Sequence, residues 1–363
     1  MWESGAYGCL SDYLWWYAVL ASLVIHTWCF FRFFPRDRRK KLRLVVGNAL
    51  VGLCLLVFAG LIAETYLRFV SIETDAYGAT LTSQRWHKAY ARRNSFYCRD
   101  KEWREGKPAG TYRIAFVGDS VTYGWGLKDE NDRFTNIVQR RFDETRPGQV
   151  EVMNVAWSDW DTQDELEAVE RIVPEYHVDE IVLCYLPNDI VKLLPSTESG
   201  DPSGLRTSLR AIPKPRWINV ETSFLLDWFY HRVYARRLPM VREYCDRLWD
   251  GYMDSAIWAR HRQTITRLVD YCSQRNVRLR VALVPFLRTW GEKFDSAAIH
   301  QRVAECFQSL GVSVIDLLPV IQGRDPATLV VNTHDPHPNE LAHQLFADAI
   351  WTALDRETGD SPN

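Results

Sequence analysis

Two long apolar runs dominate the first seventy residues. The run from Tyr13 to Phe34 contains no acidic residue and a single base, Arg32, and the run from Leu44 to Ala63 contains no charge. A helix needs about 20 apolar residues to cross the hydrocarbon core of a bilayer, and each run has that length. The pattern therefore predicts a membrane anchor over residues 1–70, with two transmembrane helices at about 13–34 and 44–67.

Beyond residue 110 the pattern changes to short apolar runs that alternate with amphipathic stretches. Strands are predicted at 112–118, 150–156, 180–187, 277–285 and 312–319, and helices at 129–145, 162–176, 255–275, 296–310 and 339–355. Strands that alternate with helices pair in parallel through right-handed crossovers. The sequence thus predicts an α/β domain over residues 111–357, with a five-stranded, doubly wound parallel sheet.

Two stretches do not follow this alternation. Residues 71–110 are polar and irregular, and we interpret them as a linker and lead-in. Residues 188–253 interrupt the domain as an insertion, and their part 223–239 is dense in aromatic residues and arginines. That part fits an interfacial helix on the bilayer, a lid over a site, or an ordinary amphipathic helix packed on the domain.

The distribution of charge orients the anchor. Between Arg32 and Arg43 the chain carries seven bases and one acid. Such loops stay in the cytoplasm, so we expect the domain at 111–357 to be extracytoplasmic, which means periplasmic in a Gram-negative bacterium. A cleaved signal peptide, whose bases precede the apolar run, and a buried helical hairpin of a soluble domain are the alternatives.

Composition narrows the classes of partner. The chain of 363 residues has a net charge of −2, but residues 71–363 alone carry −6. Nucleic-acid binding requires a basic face, so we expect no nucleic-acid partner. The eight cysteines form no C-x-x-C pair, which gives no support for a zinc site.

Three short polar motifs lie where predicted strands end or where the last helix begins. GDSVTYG (118–124) follows the first strand and places Ser120 on a glycine-flanked turn, as a nucleophile requires. PND (187–189) follows the third strand and supplies the Asn188 amide. In DPHPN (335–339), His337 can take a serine proton while Asp335 orients its ring. With a strand order of 2-1-3-4-5, the first and third strands flank the switch point at which such sheets bind ligands, so Ser120 and Asn188 face one crevice.

These blocks closely resemble the SGNH (GDSL) hydrolase family over about residues 92–355, including NSFYCRDKEW and KPAGTYRIAFVGDSVTYGWG. The resemblance implies a flavodoxin-like three-layer α/β/α fold, with Ser120 as nucleophile, His337 as base and Asp335 as its partner. It implies that the Ser120 amide and Asn188 form part of an oxyanion hole, and that no metal or cofactor takes part. The family cleaves esters, thioesters and O-acyl groups on lipids and sugars.

The sequence departs from the family pattern in three places. The last block reads D-x-H where D-x-x-H is common, and Leu186 stands before Pro187 where Gly is frequent. In NVAWSDWDTQDEL, Asp159, or the neighbouring Ser158, occupies the position at which a Gly N–H usually completes the oxyanion hole. A carboxylate there would repel the developing anion, and a lost donor costs about 3 kcal/mol of barrier. We therefore expect a hole that is incomplete or differently built.

The sequence thus predicts a membrane-anchored serine hydrolase of the esterase or deacetylase type that acts through an acyl-enzyme. Its expected partners are the lipid bilayer and a small acyl ester or acylated glycan. One alternative is an O-acyltransferase that acts on an envelope polysaccharide. The other is a non-catalytic carbohydrate-binding or scaffold module with a decayed site, for which Asp159 is the main support.

Overall fold

The computed structural model describes residues 10–34, 40–76, 78, 80–195, 222–234, 242–289 and 292–358. In the described residues the α-helices are α1 Leu10–Phe33, α2 Lys40–Phe69, α3 Leu81–Tyr90, α4 Ser120–Tyr123, α5 Phe134–Thr145, α6 Thr162–Tyr176, α7 Phe224–Phe229, α8 Tyr244–Met253, α9 Ser255–Gln274, α10 Ser296–Ser309, α11 Leu318–Ile321 and α12 Glu340–Thr358. The strands are β1 Tyr112–Gly118, β2 Val150–Ala156, β3 Glu180–Tyr185, β4 Arg278–Leu283, β5 Ser313–Asp316, β6 Val330–Asn332 and β7 Asp335–Pro338.

The chain divides into two compact units. Residues 1–73, 79–88 and 212–236 form the first, and residues 74–78, 89–211 and 237–363 form the second. This division follows the packing of the chain alone, so the functional domain boundaries drawn from the sequence stay a prediction.

The second unit is built on a five-stranded parallel sheet in the order β2-β1-β3-β4-β5, which confirms the predicted sheet and its order. Alternate residues of β1 point to opposite faces: Val117 packs with α6, α9 and α10, whereas Phe116 packs with α5 and α12. The fold is therefore a three-layer α/β/α sandwich. Gly118 is in register with both Ala156 and Cys184, so β1, β2 and β3 end at the same edge of the sheet.

Two sequence predictions are wrong in detail. Residues 81–90 are not part of an irregular lead-in but form α3, because Trp86 is fully buried and the Thr80 hydroxyl accepts the Ser83 N–H at 3.2 Å at the start of the helix. The motif at 335–339 does not lie on a loop, since Asp335–Pro338 pairs with Val330–Asn332 as a short antiparallel hairpin. Both elements depend on tertiary contacts that the local pattern does not show.

The first unit contains an antiparallel helical hairpin, α1–α2. The Tyr13 hydroxyl lies 2.7 Å from the Thr65 hydroxyl at one end of the hairpin, and a Cβ at Gly47 would lie 2.5 Å from the Phe31 ring at the other. Both helices are long and apolar enough to cross a membrane. Their outward surface is apolar, with exposed Val24, Ile25, Trp28, Leu55, Leu56 and Phe58.

The segment that begins at residue 222 packs on α2. The buried Glu64 carboxylate accepts hydrogen bonds from the Ser223 hydroxyl at 2.8 Å and the Leu225 N–H at 2.7 Å, and it pairs with Arg68 at 2.7 Å. Arg85 of α3 donates to the carbonyl of Ser71 at 3.1 Å, beyond the end of α2. Of the predicted segment 223–239, residues 235–239 lie outside the described residues.

Candidate active site

The turn after β1 holds Ser120 at the edge of the sheet. Asp119 caps α4 and accepts the Val121 N–H at 3.0 Å, which fixes a strand–turn–helix geometry. Gly118 is required for close packing, since a Cβ there would lie 2.3 Å from the Thr122 hydroxyl oxygen. The Ser120 side chain is therefore half-buried at a tight turn.

The structure brings the three residues of the predicted triad together. Nε2 of His337 lies 2.9 Å from Oγ of Ser120, and Nδ1 of His337 lies 2.5 Å from Oδ1 of Asp335. The same Asp335 oxygen accepts the His337 backbone N–H at 3.1 Å. An ionised carboxylate accepts only, so Nδ1 carries a proton and Nε2 of the neutral ring is free to accept the serine proton.

The D-x-H spacing is explained by the hairpin β6–β7. In β7 side chains alternate, so Asp335 and His337 lie on the same face two residues apart. Their register is held by the Asn332–Asp335 pairing, and Asn339 donates to the carbonyl of Thr328 at 2.9 Å just beyond the strand. In a strand, residues i and i+2 lie on the same face, whereas on a helix the nearest residues on one face are i and i+3 or i+4. The D-x-H spacing therefore fits a strand.

The charged groups around His337 make its imidazole a stronger base. Burial opposes the charged imidazolium, but the charge and hydrogen bond of Asp335 outweigh it, and Asp119 and Asp159 add to this effect. The pKa of His337 is consequently raised above its ordinary value. A stronger base draws the serine proton more readily, while the ring must still be neutral to accept it.

The Asn188 amide is held by Asp119. Its Nδ2 donates to Oδ2 of Asp119 at 3.1 Å, and this bond fixes which end of the amide faces the nucleophile turn. Burial raises the pKa of Asp119, whereas the hydrogen bonds from Asn188 and Val121 oppose that rise.

Asp159 takes the backbone conformation of a glycine. Its φ is 74°, in the left-handed region that favours Gly and tolerates Asp and Asn. Its side chain is exposed, yet it is close enough to raise the pKa values of His337 and Asp119. The departure from the family pattern therefore changes the side chain at this turn but keeps a glycine-like backbone.

The sequence reasoning missed three charged residues beside the site. Glu165 and Asp189 are fully buried, and burial together with neighbouring carboxylates raises the pKa of each well above its usual range. Lys192 is close enough to Glu165 to oppose the rise of its pKa, and it pairs with the Asp161 and Asp164 carboxylates at the start of α6. Their positions in the sequence could have pointed to them, because Glu165 lies on the otherwise apolar face of α6 and Asp189 directly follows Asn188.

Clusters of His, Cys, Asp and Glu side chains are the usual metal sites in proteins. In that part of the chain, no group of three or more His, Cys, Asp or Glu side chains is arranged to hold a metal ion. The expectation of a site without metal or cofactor stays a prediction.

The chain is similar to one known protein family and to several solved structures. Residues 116–345 match the model of the GDSL-like lipase/acylhydrolase family. A search of curated proteins gave no match. Similar solved structures include the psychrotrophic esterase EstA from Pseudoalteromonas sp. (11% identity, 68% of this chain, 99% of that chain, TM-score 0.40). Another is a lipase/acylhydrolase from Enterococcus faecalis (13% identity, 68% of this chain, 97% of that chain, TM-score 0.40). A third is an acetylxylan esterase from Geobacillus stearothermophilus (13% identity, 68% of this chain, 96% of that chain, TM-score 0.41).

The structural similarities are too distant to carry an argument about substrate. The family model spans more than half of the chain and includes the Ser120 turn and the Asp335–His337 hairpin. The resemblance seen in the sequence is thereby confirmed, and the chain belongs to the GDSL-like lipase/acylhydrolase family as a serine esterase.

Proposed function

We propose that this esterase cleaves an ester or O-acyl group through an acyl-enzyme on Ser120, while anchored in a membrane by α1 and α2. The observation that carries the catalytic part is the continuous hydrogen-bonded chain from Ser120 through His337 to Asp335, with distances of 2.9 and 2.5 Å. This arrangement is the one that nucleophilic acyl transfer needs, and it supports catalysis over the non-catalytic module considered from the sequence.

The reaction proceeds in two balanced steps. Oγ of Ser120 attacks the acyl carbon while its proton passes to Nε2 of His337, and collapse of the tetrahedral intermediate returns that proton to the departing alcohol. Water then gives a proton to His337 and attacks the acyl-enzyme, and the acid leaves as Ser120 regains its proton. Asp335 holds the ring in one tautomer and stabilises the transient imidazolium.

The developing negative charge is met by three groups. The N–H of Ser120 lies at the start of α4, and the Asn188 amide is held in place by Asp119. The backbone N–H at Asp159 completes the hole, because its left-handed turn is the one that a Gly would form. Donors fixed in advance lower the barrier without reorganising during the reaction.

The membrane anchor is supported by the surface of the hairpin α1–α2. The helices contact one another at Tyr13–Thr65 and at Phe31–Gly47, while large apolar side chains such as Trp28 and Leu56 are exposed on the rest of their surface. In water such a surface is unfavourable, whereas lipid chains cover it at no cost. The basic residues between the helices favour a cytoplasmic loop and place the esterase unit outside the cytoplasm.

Covalent labelling tests the catalytic proposal. The full-length chain in detergent is treated with a fluorophosphonate probe, and the labelled peptide is identified by mass spectrometry. We expect the label on Ser120 and its loss in Ser120→Ala, together with a loss of esterase activity of at least about 10³-fold. Ser273→Ala, at an exposed position of α9, should label normally. A Ser120→Ala protein that keeps more than a tenth of the activity would show that the nucleophile lies elsewhere.

A reporter fusion tests the topology. A reporter that works only outside the cytoplasm is expected to be active when fused after residue 363. Changing Arg38, Arg39, Lys40 and Lys41 to Gln should scramble the orientation, because the rule depends on nearby bases. Activity of a cytoplasm-only reporter at the same position would overturn the assignment of the compartment.

A further inference from the structure

Two segments stand on either side of the nucleophile. Residues 157–160 follow β2 and residues 187–193 follow β3, and both strands are hydrogen-bonded neighbours of β1. The first segment carries Asp159 and the second carries Asn188, so the two proposed oxyanion donors beyond Ser120 belong to separate pieces of chain. Their separation decides whether both donors reach the same oxygen.

An ion pair joins the second segment to the start of α6, which directly follows the first segment. Nζ of Lys192, four residues after Asn188, contacts Oδ2 of Asp164 and lies 3.5 Å from Oδ1 of Asp161. Asp161 and Asp164 form the capping box of α6. Asp161 accepts the Asp164 N–H at 3.2 Å, and the Asp164 carboxylate accepts the Asp161 N–H at 3.0 Å. The turn that carries Asp159 is closed by the Trp160 N–H, which donates to the Trp157 carbonyl at 3.3 Å, and the capping box begins at the next residue. Lys192 is therefore bonded to the residues that directly follow this turn.

Lys192 differs from an ordinary surface lysine in the carboxyl groups around it, several of which are buried. The Asp161 side chain is only 4% exposed, and the buried carboxyls of Glu165 and Asp189 lie in the same cluster. Removing water around a pair strengthens its Coulomb attraction, whereas fully exposed pairs contribute little. Lys192 supplies the positive charge that opposes the mutual repulsion of these carboxyls.

We infer that Lys192 is a positioning residue that fixes the distance between the Asn188 segment and the Asp159 turn, and thereby the width of the oxyanion hole. The inference rests on the proposed function, since it assigns Lys192 to the same site. Lys192 touches no reacting atom. It acts through the capping box on one side and through the short 3-10 segment Pro187–Leu193 on the other.

The same sheet offers a matched control pair. Lys107 pairs with Asp179 at 2.5 Å, with side-chain exposures of 23% and 28%, compared with 33% and 26% for Lys192 and Asp164. Asp179 immediately precedes β3, so this pair lies at the amino ends of the parallel strands, whereas Ser120 lies at their carboxyl ends. Loss of either lysine removes a similar ion pair, but only one of them lies beside the proposed oxyanion hole.

The experiment measures kcat and KM of the full-length chain in detergent on an activated acetate ester. Lys192→Met should lower kcat by about 10- to 100-fold, as expected when a catalytic donor is misplaced by a fraction of an ångström, with KM within about twofold. Lys192→Arg should restore most of kcat, because the charge and reach are kept. Lys107→Met should leave kcat unchanged at a comparable melting temperature.

Asp164→Asn gives a second, milder variant. Asn keeps a capping acceptor but loses the charge, so the helix start survives while the pair with Lys192 is weakened. We expect a smaller fall in kcat, and we expect the double variant Asp164→Asn/Lys192→Met to be no slower than Lys192→Met alone. These variants keep the test decisive should Lys192→Met fold poorly.

Contrary outcomes are distinct. A kcat within twofold of wild type in Lys192→Met, or an equal fall in Lys107→Met, would overturn the positioning role. Additive effects in the double variant would do the same, because independent residues add. Failure of the proposed function would instead show as unchanged activity in Ser120→Ala, whatever Lys192 does.

Discussion

The half of the site that carries the base and the half that carries the oxyanion donors differ in how their polar atoms are paired. On the base side, one oxygen of Asp335 accepts two hydrogen bonds from His337, although its second oxygen has no partner in the described part of the chain. On the oxyanion side, Oδ1 of Asn188 and both carboxyl oxygens of Glu165 have no partner among the described residues. The base side is thus held by short direct bonds within one hairpin. The oxyanion side depends on burial, shared charge and an ion pair between separate segments.

Asp335→Asn breaks the base side and should have the largest effect. The Asn side chain no longer holds the Nδ1-protonated tautomer, so Nε2 of His337 is not free to accept the serine proton. We expect kcat to fall about 10⁴-fold, as for the same change in a serine-protease triad. The measurement is kcat on a p-nitrophenyl ester.

The matched control is Asp325→Asn, which changes an exposed carboxylate that caps a one-turn helix shortly before the hairpin. It should behave like wild type. A loss of less than tenfold in Asp335→Asn would show that the hairpin carboxylate does not orient the base.

Asn188→Ala tests the oxyanion side with an intermediate effect. Removal of one oxyanion donor costs about 10²- to 10³-fold in kcat, and KM should change little because the charge develops only in the transition state. Steady-state kinetics on the same ester separate the two constants. Asn131→Ala, in an exposed turn, is the control. An effect confined to KM would assign the amide to substrate binding and remove the contrast between the two halves.

Asp159→Asn should have the smallest effect of these variants, because the Asp159 side chain is exposed and Asn tolerates the left-handed turn. It tests whether a charge on the oxyanion side acts on the base side. The Asp159 carboxylate raises the pKa of His337, and the base must be neutral to work. Activity is lost as the pH falls through that pKa, so removing the carboxylate should move the acid limb of kcat/KM to lower pH. On the plateau, kcat should rise tenfold for each ~1.4 kcal/mol of repulsion removed.

The pH profile of kcat/KM is the measurement, and Asp143→Asn on the exposed face of α5 is the control. An acid limb that stays in place would mean that Asp159 does not act on His337, and an unchanged plateau would mean that its carboxylate does not face the oxyanion.

The sequence predicted the parts of the site that are local. The positions of Ser120 and Asn188 follow from apolar runs that end in polar residues, because parallel strands finish at a common edge. The hairpin at 330–338 was not predictable from its pattern, since three- and four-residue strands with proline leave almost no periodicity. The contribution of Lys192 was hidden for another reason. An ion pair between residues 28 positions apart depends on the packing of α6, which no local signal reports.

The first unit combines residues 1–73 with two later pieces, 79–88 and 212–236. The Glu64 carboxylate in α2 accepts a hydrogen bond from the hydroxyl of Ser223, which comes about 160 residues later in the chain. A fragment that begins at residue 74 would lack the Glu64 carboxylate to which Ser223 and Leu225 donate, and the Ser71 carbonyl to which Arg85 donates. We therefore expect residues 222–229 and α3 to lose their packing in such a fragment, so the first unit has to be expressed from the full-length chain.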